Sequence, residues 1–209
     1  MSRSTLAAVA TAATVAFALT ALVVALAEPV PGERGVVEAI TDAAGRSLDD
    51  PARAIGTAGT AWVLAPLAVA LAAWAVARRA WPLLGVVVAT AALVWLVNPA
   101  LKRLFSRDRP GLRELVEPTS RWSFPAGHAV ASAAFATLLV IVAWPTRTRW
   151  PVTIGAAVAV LLVGASRLVL GVHYPTDLVA GWALAVAVVT GLGAWLLARG
   201  RAPGPHSGP

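Results

Sequence analysis

Residues 80–101 read AWPLLGVVVATAALVWLVNPAL and carry no charged side chain. A helix needs about 20 mostly apolar residues to cross the hydrocarbon core of a bilayer. The stretch lacks the strict alternation of polar and apolar residues that a strand of a membrane barrel shows. It therefore predicts a transmembrane helix, and it leads directly into a charged segment that begins at Lys102.

Five further stretches share this apolar, uncharged character, namely Thr5–Ala27, Ile55–Ala77, Ala129–Trp144, Trp150–Ser166 and Leu178–Ala198. Only 13% of the 209 residues are charged, whereas a soluble domain usually carries about 25%. The sequence thus predicts an all-α integral membrane protein, with a bundle of six transmembrane helices in residues 1–199. A tail rich in Gly and Pro, residues 200–209, is expected to be disordered. The first stretch in chain order, Thr5–Ala27, would also fit a secretory signal peptide.

The distribution of basic residues predicts the orientation of these helices. With a cytoplasmic N-terminus, the inner segments hold no acidic residue and these basic ones: Arg3, Arg78, Arg79, Arg147, Arg149, Arg199 and Arg201. The remaining 10 of the 17 basic residues balance all 10 acidic ones in the outer segments. Because basic residues concentrate on the cytoplasmic side of membrane proteins, we expect both termini in the cytoplasm and the protein in the plasma (inner) membrane. The net charge of +7 then requires no nucleic-acid partner.

The first outer segment, Glu28–Ala54, has apolar residues at helical spacing, namely Val36, Val37, Ile40, Ala44 and Leu48. Such a pattern fits a short helix that lies on the membrane surface. A plain solvated loop fits this composition as well, and the sequence leaves both interpretations open.

The second outer segment begins with a basic cluster. Lys102 and Arg109 are seven residues apart, a spacing that places them on one face if the helix continues. A lysine ammonium beside an arginine fork suits a tetrahedral oxyanion such as phosphate. The alternative is a juxtamembrane basic cluster that is attracted to anionic lipid headgroups.

A second cluster, Ser123–His128, leads straight into the fourth apolar stretch. Pro125 and Gly127 just before a helix leave backbone N–H groups exposed at its positive end, where anions bind. His128 would stand beside such an anion. Taken alone, a histidine at this position also fits an interfacial side chain with a hydrogen bond and no catalytic role.

The third cluster, Ser166–Asp177, lies between the last two apolar stretches. If Pro175 starts the final helix, Asp177 is close enough to accept a hydrogen bond from one ring nitrogen of His173. That bond would set the tautomer and leave the other nitrogen free to attack. The alternative is that Asp177 simply favours the helix N-terminus. Under the orientation above, all three clusters face outward, so the active site is expected at the outer interface.

Together these clusters form a pattern in three parts: Lys102-x6-Arg109-Pro110, Pro125-Ala126-Gly127-His128 and Ser166-Arg167-x5-His173-x3-Asp177. The pattern resembles the signature of the type 2 phosphatidic acid phosphatase family, whose superfamily includes the vanadium haloperoxidases. The resemblance covers the third to the sixth apolar stretch, and the three parts occur in the family's order.

The resemblance implies that three cations bind the phosphate oxygens: Lys102, Arg109 and Arg167. It implies that His173 attacks phosphorus to give a phosphohistidine and that Asp177 orients the attacking ring. His128 would protonate the leaving oxygen, and water would then release phosphate. Three cations around the equatorial oxygens would take the part that metal ions take in other phosphoryl transferases.

One position departs from the family pattern. The second part of the signature usually reads Pro-Ser-Gly-His, and Ala126 stands here in the serine position. A hydroxyl contact to phosphate is lost, and the backbone N–H groups of Ala126 and Gly127 are expected to bind phosphate instead. Asn98, one turn before Lys102, either positions that lysine or is an intrahelical polar group.

The predicted function is therefore hydrolysis of a lipid phosphate or diphosphate, with a polyprenyl diphosphate favoured and phosphatidylglycerophosphate or phosphatidic acid possible. A lipid phosphotransferase would use the same residues, and a non-catalytic membrane protein that binds or translocates headgroups would need only the cations. A haloperoxidase is disfavoured because the chain has six apolar stretches and no soluble helical domain. The histidines, His128, His173 and His206, lack the spacing of metal ligands, so neither a metal nor a cofactor is expected.

Overall fold

The computed structural model describes residues 1–113 and 120–199. This part of the chain is helical and contains no β-strand, which confirms the all-α prediction. Its α-helices are α1 (Arg3–Leu26), α2 (Glu33–Ala44), α3 (Asp49–Ala58), α4 (Ala61–Ala77), α5 (Trp81–Ala92), α6 (Asn98–Phe105), α7 (Gly127–Ala143), α8 (Arg149–Val169) and α9 (Pro175–Arg199). The tail expected to be disordered, residues 200–209, lies outside the described residues.

Within residues 1–113 and 120–199, five helical segments are long and apolar enough to cross a membrane: Arg3–Leu26, Arg46–Ala77, Trp81–Phe105, Arg149–Val169 and Pro175–Ala198. The fourth apolar stretch of the sequence forms α7, which is apolar but only 17 residues long. The count of six spans and the cytoplasmic position of the termini therefore remain predictions.

The third apolar stretch forms one continuous helix that contains a π-helical turn. This helix starts as α5 with Pro82 in its first turn, passes through the π-helical turn at Leu93–Val97, and continues as α6. Pro99 sits at the start of α6 and has no N–H to donate to the preceding turn, which accounts for the break in the regular α pattern there. Lys102 then falls in the last turn of α6, where a cation interacts favourably with the helix dipole.

The segment Glu28–Ala54 is largely helical and is not a plain loop; its position on the membrane surface stays a prediction. Its helix α2 begins after Gly32, a glycine with φ of +80°, and ends at Ala44, just before Gly45 with φ of +62°. The side chain of Val37 is fully buried, and Thr41 donates from Oγ1 to the carbonyl of Leu168 at 3.2 Å. The segment therefore packs against the end of α8.

The second apolar stretch is predicted as one uninterrupted span, whereas the structure divides it between two helices. The chain is helical already from Asp49, and α3 and α4 meet at Gly59 and Thr60. Thr60 begins α4 because its hydroxyl accepts the N–H of Val63 at 3.3 Å, which satisfies a free donor of the first turn.

The core lies between α5, α7 and α9, with α1 packed along α9. Its buried side chains are Val86, Val87, Leu93, Val130, Ala133, Ala134, Leu138, Leu184, Ala185 and Val189. A β-carbon on Gly181 would lie 2.9 Å from the carbonyl oxygen of Ala126, so only a glycine permits this approach of α9 to the start of α7. The close packing brings the N-terminal ends of α7 and α9 side by side.

Candidate active site

The structure joins the three sequence clusters at the N-terminal ends of α7 and α9. Lys102 donates from Nζ to the carbonyls of Trp122 and Ser123 at 2.9 and 3.0 Å, which ties the first cluster to the second. Arg109 donates from Nη1 to the carbonyl of Val172 at 2.8 Å, which ties the first cluster to the third. Residues far apart in the chain thus surround one polar centre.

His173 and Asp177 form the centre of this arrangement. Nδ1 of His173 lies 3.2 Å from Oδ2 of Asp177, and the N–H of Tyr174 donates to the same oxygen at 2.9 Å. The two side chains are 2% and 0% exposed. Pro175 is the first residue of α9, which meets the condition stated from the sequence. Asp177 therefore lies in the first helical turn, with its carboxylate directed at the histidine.

Hydrogen bonding decides the tautomer of His173. Arg109 approaches the second ring nitrogen, Nε2, with Nη1 at 3.1 Å. A guanidinium can only donate, so Nε2 accepts and the ring proton is on Nδ1, facing Asp177. Burial is the main reason why the pKa of His173 falls to about 4; the hydrogen bond to Asp177 opposes this shift and the charge of Arg109 adds to it. The ring is therefore neutral near pH 7, with its unprotonated nitrogen, Nε2, facing Arg109.

Two further cations lie deep in the same centre, Lys102 at 7% and Arg167 at 4% exposure. Arg167 donates from Nε to Oγ of Ser166 at 3.1 Å and from Nη2 to the carbonyl of Ala52 at 3.0 Å. Arg109, which is half-buried, also donates from Nε to the carbonyl of Ser120 at 3.0 Å.

The partners of these cations are carbonyl oxygens, one hydroxyl and one imidazole nitrogen. Among the residues that the structure describes, no carboxylate forms an ion pair with Lys102, Arg109 or Arg167. Buried charges in proteins are normally paired. The site thus holds positive charge that its own carboxylates do not neutralise, as expected of a site for an anion.

The second cluster contributes differently from its prediction. The N–H of Ala126 donates to the carbonyl of Asp177 at 3.0 Å, so this N–H is not available to phosphate, and the expectation that it binds phosphate is wrong in this structure. Gly127 begins α7 beside Asn98, whose Nδ2 would lie 3.2 Å from a β-carbon at the glycine. Asn98 is buried next to Lys102 and Gly127, and its Oδ1 has no partner among the described residues.

His128 lies in the first turn of α7, within electrostatic range of Arg167, His173, Arg109 and Lys102. Its imidazole ring makes no hydrogen bond with any residue in the described part of the chain, whereas its backbone carbonyl accepts the Ser132 hydroxyl at 2.7 Å. The ring is therefore free to exchange a proton with a bound molecule.

Sequence reasoning missed Gly56 of α3. A methyl group at this position would overlap the guanidinium of Arg167, so the glycine permits α3 to approach the arginine and the carbonyl of Ala52 to accept from it. No sequence signal distinguishes Gly56 from other glycines, because its partner is more than a hundred residues away in the chain.

Sequence reasoning also passed over Arg107, which lies in the first cluster two residues before Arg109. Its side chain is 1% exposed, and its Nη1 donates to Oδ1 of Asp177 at 2.8 Å. The dense clustering of cations in this segment was the available signal, but it does not tell which of them faces Asp177.

Comparison with known proteins identifies the family and the relatives of this chain. Residues 80–201 match the family model described as PAP2 superfamily. The chain is similar to decaprenylphosphoryl-5-phosphoribose phosphatase of Mycolicibacterium smegmatis, with 38% identity over 161 residues, 72% of this chain and 81% of that protein. Phosphatidylglycerophosphatase B of Bacillus subtilis is 35% identical over 94 residues, 43% of this chain and 46% of its own length.

A solved structure is similar over most of the chain. It is the crystal structure of a transmembrane PAP2 type phosphatidylglycerolphosphate phosphatase from Bacillus subtilis, with a TM-score of 0.77 and 26% sequence identity. The match covers 91% of this chain and 98% of that one.

Proposed function

This chain belongs to the PAP2 superfamily and is an integral membrane lipid phosphatase, and from that premise we propose that it transfers the phosphoryl group of its substrate to Nε2 of His173. The phosphohistidine formed in this way is then hydrolysed. Asp177 orients the attacking ring and His128 exchanges protons with the leaving group and water.

One observation carries this proposal: Arg109 contacts the unprotonated Nε2 of His173, and Lys102 and Arg167 lie within electrostatic range of Arg109. None of these three cations pairs with a carboxylate in the described residues. A phosphate group would supply the missing negative charge. Its charge is spread over the equatorial oxygens during transfer, where preorganised cations stabilise it most.

In the first step the lone pair of Nε2 forms a bond to phosphorus while the bond from phosphorus to the leaving oxygen breaks. His128, which takes up a proton when the anionic substrate binds beside it, gives that proton to the leaving oxygen. The proton on Nδ1 of His173 stays in its hydrogen bond to Asp177, which stabilises the positive charge that develops on the ring.

In the second step a water oxygen attacks the same phosphorus and its proton passes to His128. The N–P bond breaks, and its electron pair returns to Nε2. Inorganic phosphate leaves, and both histidines regain their starting states. General acid–base help of this kind contributes roughly 10²–10⁴-fold to a rate.

We further propose that the reaction needs no metal ion or cofactor. Lys102, Arg109 and Arg167 provide three cationic side chains around the transferred group, which is the electrostatic role that Mg²⁺ fills in other phosphoryl transferases. Activity in excess chelator tests this point directly.

The lipid is proposed to be polyprenyl-linked. The relative from Mycolicibacterium smegmatis, whose name specifies a decaprenylphosphoryl-5-phosphoribose substrate, shares 38% identity over 81% of its length. A polyprenyl diphosphate, favoured by the sequence, also carries a terminal phosphate on a polyprenyl chain, although an anhydride bond and not an ester bond to ribose holds it there. Phosphatidylglycerophosphate and phosphatidic acid are the alternatives that the test includes.

The site is proposed to face the outer side of the plasma membrane. The net charge of +7 supports this orientation, because it lies entirely in the segments on the opposite side from the three clusters. Labelling of a cysteine introduced at exposed Arg121 by a membrane-impermeant reagent in intact cells tests it, and protection from that reagent would reverse the orientation.

The function is tested by phosphate release from four lipids in detergent with excess EDTA: decaprenylphosphoryl-5-phosphoribose, undecaprenyl diphosphate, phosphatidylglycerophosphate and phosphatidic acid. The wild-type protein is compared with His173→Ala, and the folded state of both is checked by size-exclusion chromatography. We expect release by the wild type, fastest from a polyprenyl-linked lipid, and none by the variant.

Each departure has a distinct meaning. Release that survives His173→Ala would overturn the phosphohistidine, and release that EDTA abolishes would overturn the metal-free mechanism. Labelled phosphate that appears on a second lipid instead of in solution would identify a phosphotransferase. Lipid binding by both proteins with no release from any lipid would identify a non-catalytic headgroup binder.

A further inference from the structure

Arg107 is the most deeply buried arginine side chain around the site, with 1% exposure, yet it does not belong to the three cations assigned to phosphate. Its guanidinium is surrounded by carboxylates. Nη1 donates to Oδ1 of Asp177 at 2.8 Å, and Nη2 donates to Oε2 of Glu33 at 2.7 Å. Nε lies 2.7 Å from Oε2 of Glu28. The role of this arginine therefore differs from that of Arg109, two residues later.

Asp177 is held at both of its oxygens. Oδ2 faces Nδ1 of His173 and accepts the N–H of Tyr174, while Oδ1 accepts from Arg107. A carboxylate that is bonded at both oxygens cannot rotate about its terminal bond without losing one set of partners. Arg107 thereby determines the plane of the carboxylate, and that plane determines the direction of its hydrogen bond to His173.

Arg107 is itself positioned by the segment between α1 and α2. Glu33 binds Arg107 through Oε2 and accepts the N–H of Thr176 through Oε1 at 2.8 Å. Thr176 also accepts from Nη1 of Arg107 through its hydroxyl at 2.8 Å. The guanidinium lies over the ring of Tyr174, with Cζ 4.2 Å from the ring centroid, which restricts its plane as well.

We propose that Arg107 is a positioning residue for His173, which acts through Asp177 and is held in place by Glu33. The proposal rests on the proposed function, because it assumes that His173 is the nucleophile. Hydrogen-bond partners behind a functional histidine orient its ring and fix its tautomer. The network also connects α2 with the attacking nitrogen.

A purely structural role would differ in its kinetic signature. A buried ion pair that only fastens α2 to α9 would change the stability and leave the turnover of folded enzyme intact. A positioning role changes the transition state, so kcat falls while KM stays nearly constant. The effect would also depend on Asp177, because the arginine reaches the histidine only through that carboxylate.

The test compares kcat and KM of wild type, Arg107→Gln, Asp177→Asn and the double variant, with the best substrate of the four-lipid panel. We expect Arg107→Gln to lower kcat about 10- to 100-fold, the range for such hydrogen-bond partners of a functional histidine. KM should stay within about twofold. In the Asp177→Asn background the same change should lower kcat less than about threefold, because the carboxylate through which Arg107 acts on His173 is already absent.

Arg34→Gln is the matched control. Arg34 also links α2 to the segment after α6, since it donates from Nη1 to the carbonyl of Pro110 at 3.2 Å, and it pairs with Glu38 on its own helix. It does not contact Asp177 or His173. Its variant should keep wild-type kcat. A decrease in kcat equal to that of Arg107→Gln would mean that Arg107 only links α2 to the rest of the molecule.

Removal of Arg107 leaves buried carboxylates unpaired, which can prevent folding. In that case Arg107→Lys takes the place of Arg107→Gln in the same comparison, since it keeps the charge and loses the two-armed geometry. An unchanged kcat in a folded Arg107 variant, or an equal loss in both Asp177 backgrounds, would overturn the inference. Failure of the proposed function would instead appear as activity in His173→Ala.

Discussion

The guanidinium of Arg109 lies 3.1 Å from Nε2 of His173, the nitrogen that we propose to attack phosphorus. The same Nη1 donates to the carbonyl of Val172 at 2.8 Å. A phosphate group that approaches Nε2 would meet this guanidinium first. Binding of the substrate therefore has to exchange one hydrogen bond of Arg109, from the imidazole to a phosphate oxygen.

Replacement of Arg109 by glutamine should lower kcat about 10²–10³-fold, the effect of removing one donor that stabilises a transition-state oxyanion. The measurement is steady-state phosphate release by purified, folded protein. Arg103→Gln is the matched control, because Arg103 is an exposed cation on α6 beside Lys102. An equal loss of activity in the Arg103 variant would mean that the basic cluster acts only through its overall charge.

Replacement of His128 by glutamine should have an effect that depends on the leaving group. With a lipid alkoxide as the leaving group, loss of the general acid should lower kcat roughly 10²–10⁴-fold. With p-nitrophenyl phosphate the leaving oxygen needs little protonation, so the loss should be much smaller. Equal losses with both substrates would assign His128 to binding and not to proton transfer.

The lowered pKa of His173 predicts how its protonation and the protein's stability depend on pH. The folded pKa lies near 4 because of burial, against 6.5 for a free histidine, so the unfolded chain takes up a proton first as the pH falls. The stability contribution of His173 is therefore fully present above pH 6.5 and is lost as the pH falls toward 4.

Two measurements check this prediction. Nitrogen NMR shifts of the histidine side chains should show the Nε2 of His173 unprotonated until the pH approaches 4. Between pH 6.5 and 4 the melting temperature of the wild type should fall more steeply than that of His173→Gln, which cannot titrate at this position. A midpoint near 6.5 for His173 would mean that its ring is in contact with water.

Replacement of Gly56 by alanine should impair catalysis without weakening the fold. The added methyl would displace the flexible guanidinium of Arg167, and a misplacement of about 1 Å in a catalytic group can cost 10²-fold in rate. Alanine also favours a helix over glycine by about 1 kcal/mol, so α3 should persist. The readouts are kcat/KM and the melting temperature.

Gly35→Ala is the control for this substitution. Gly35 lies in α2, and nothing is within 4 Å of a β-carbon built at its position. Its variant should keep wild-type kcat/KM. If Gly56→Ala also kept it, the contact between α3 and Arg167 would have no part in phosphate binding.

The sequence by itself determined the helical architecture and selected the candidate site residues. Uncharged stretches of about 20 apolar residues leave few alternatives to helices, because their backbone groups must be satisfied internally in lipid. The polar residues between those stretches were few enough for Lys102, Arg109, His128, Arg167, His173 and Asp177 to be selected on residue type, spacing and family resemblance. The hydrogen bond between His173 and Asp177 followed from the local geometry of a helix that begins at Pro175.

Only the tertiary structure decided which groups hold those residues in place. Arg107 reaches Asp177 across 70 residues of chain, and Arg167 reaches the carbonyl of Ala52 across 115. The N–H of Ala126, expected to bind phosphate, is taken by the carbonyl of Asp177 from another helix. Such contacts depend on how helices pack against one another. Helical periodicity relates only residues within a few turns, so the sequence carries no local signal for partners that close packing brings together from distant segments.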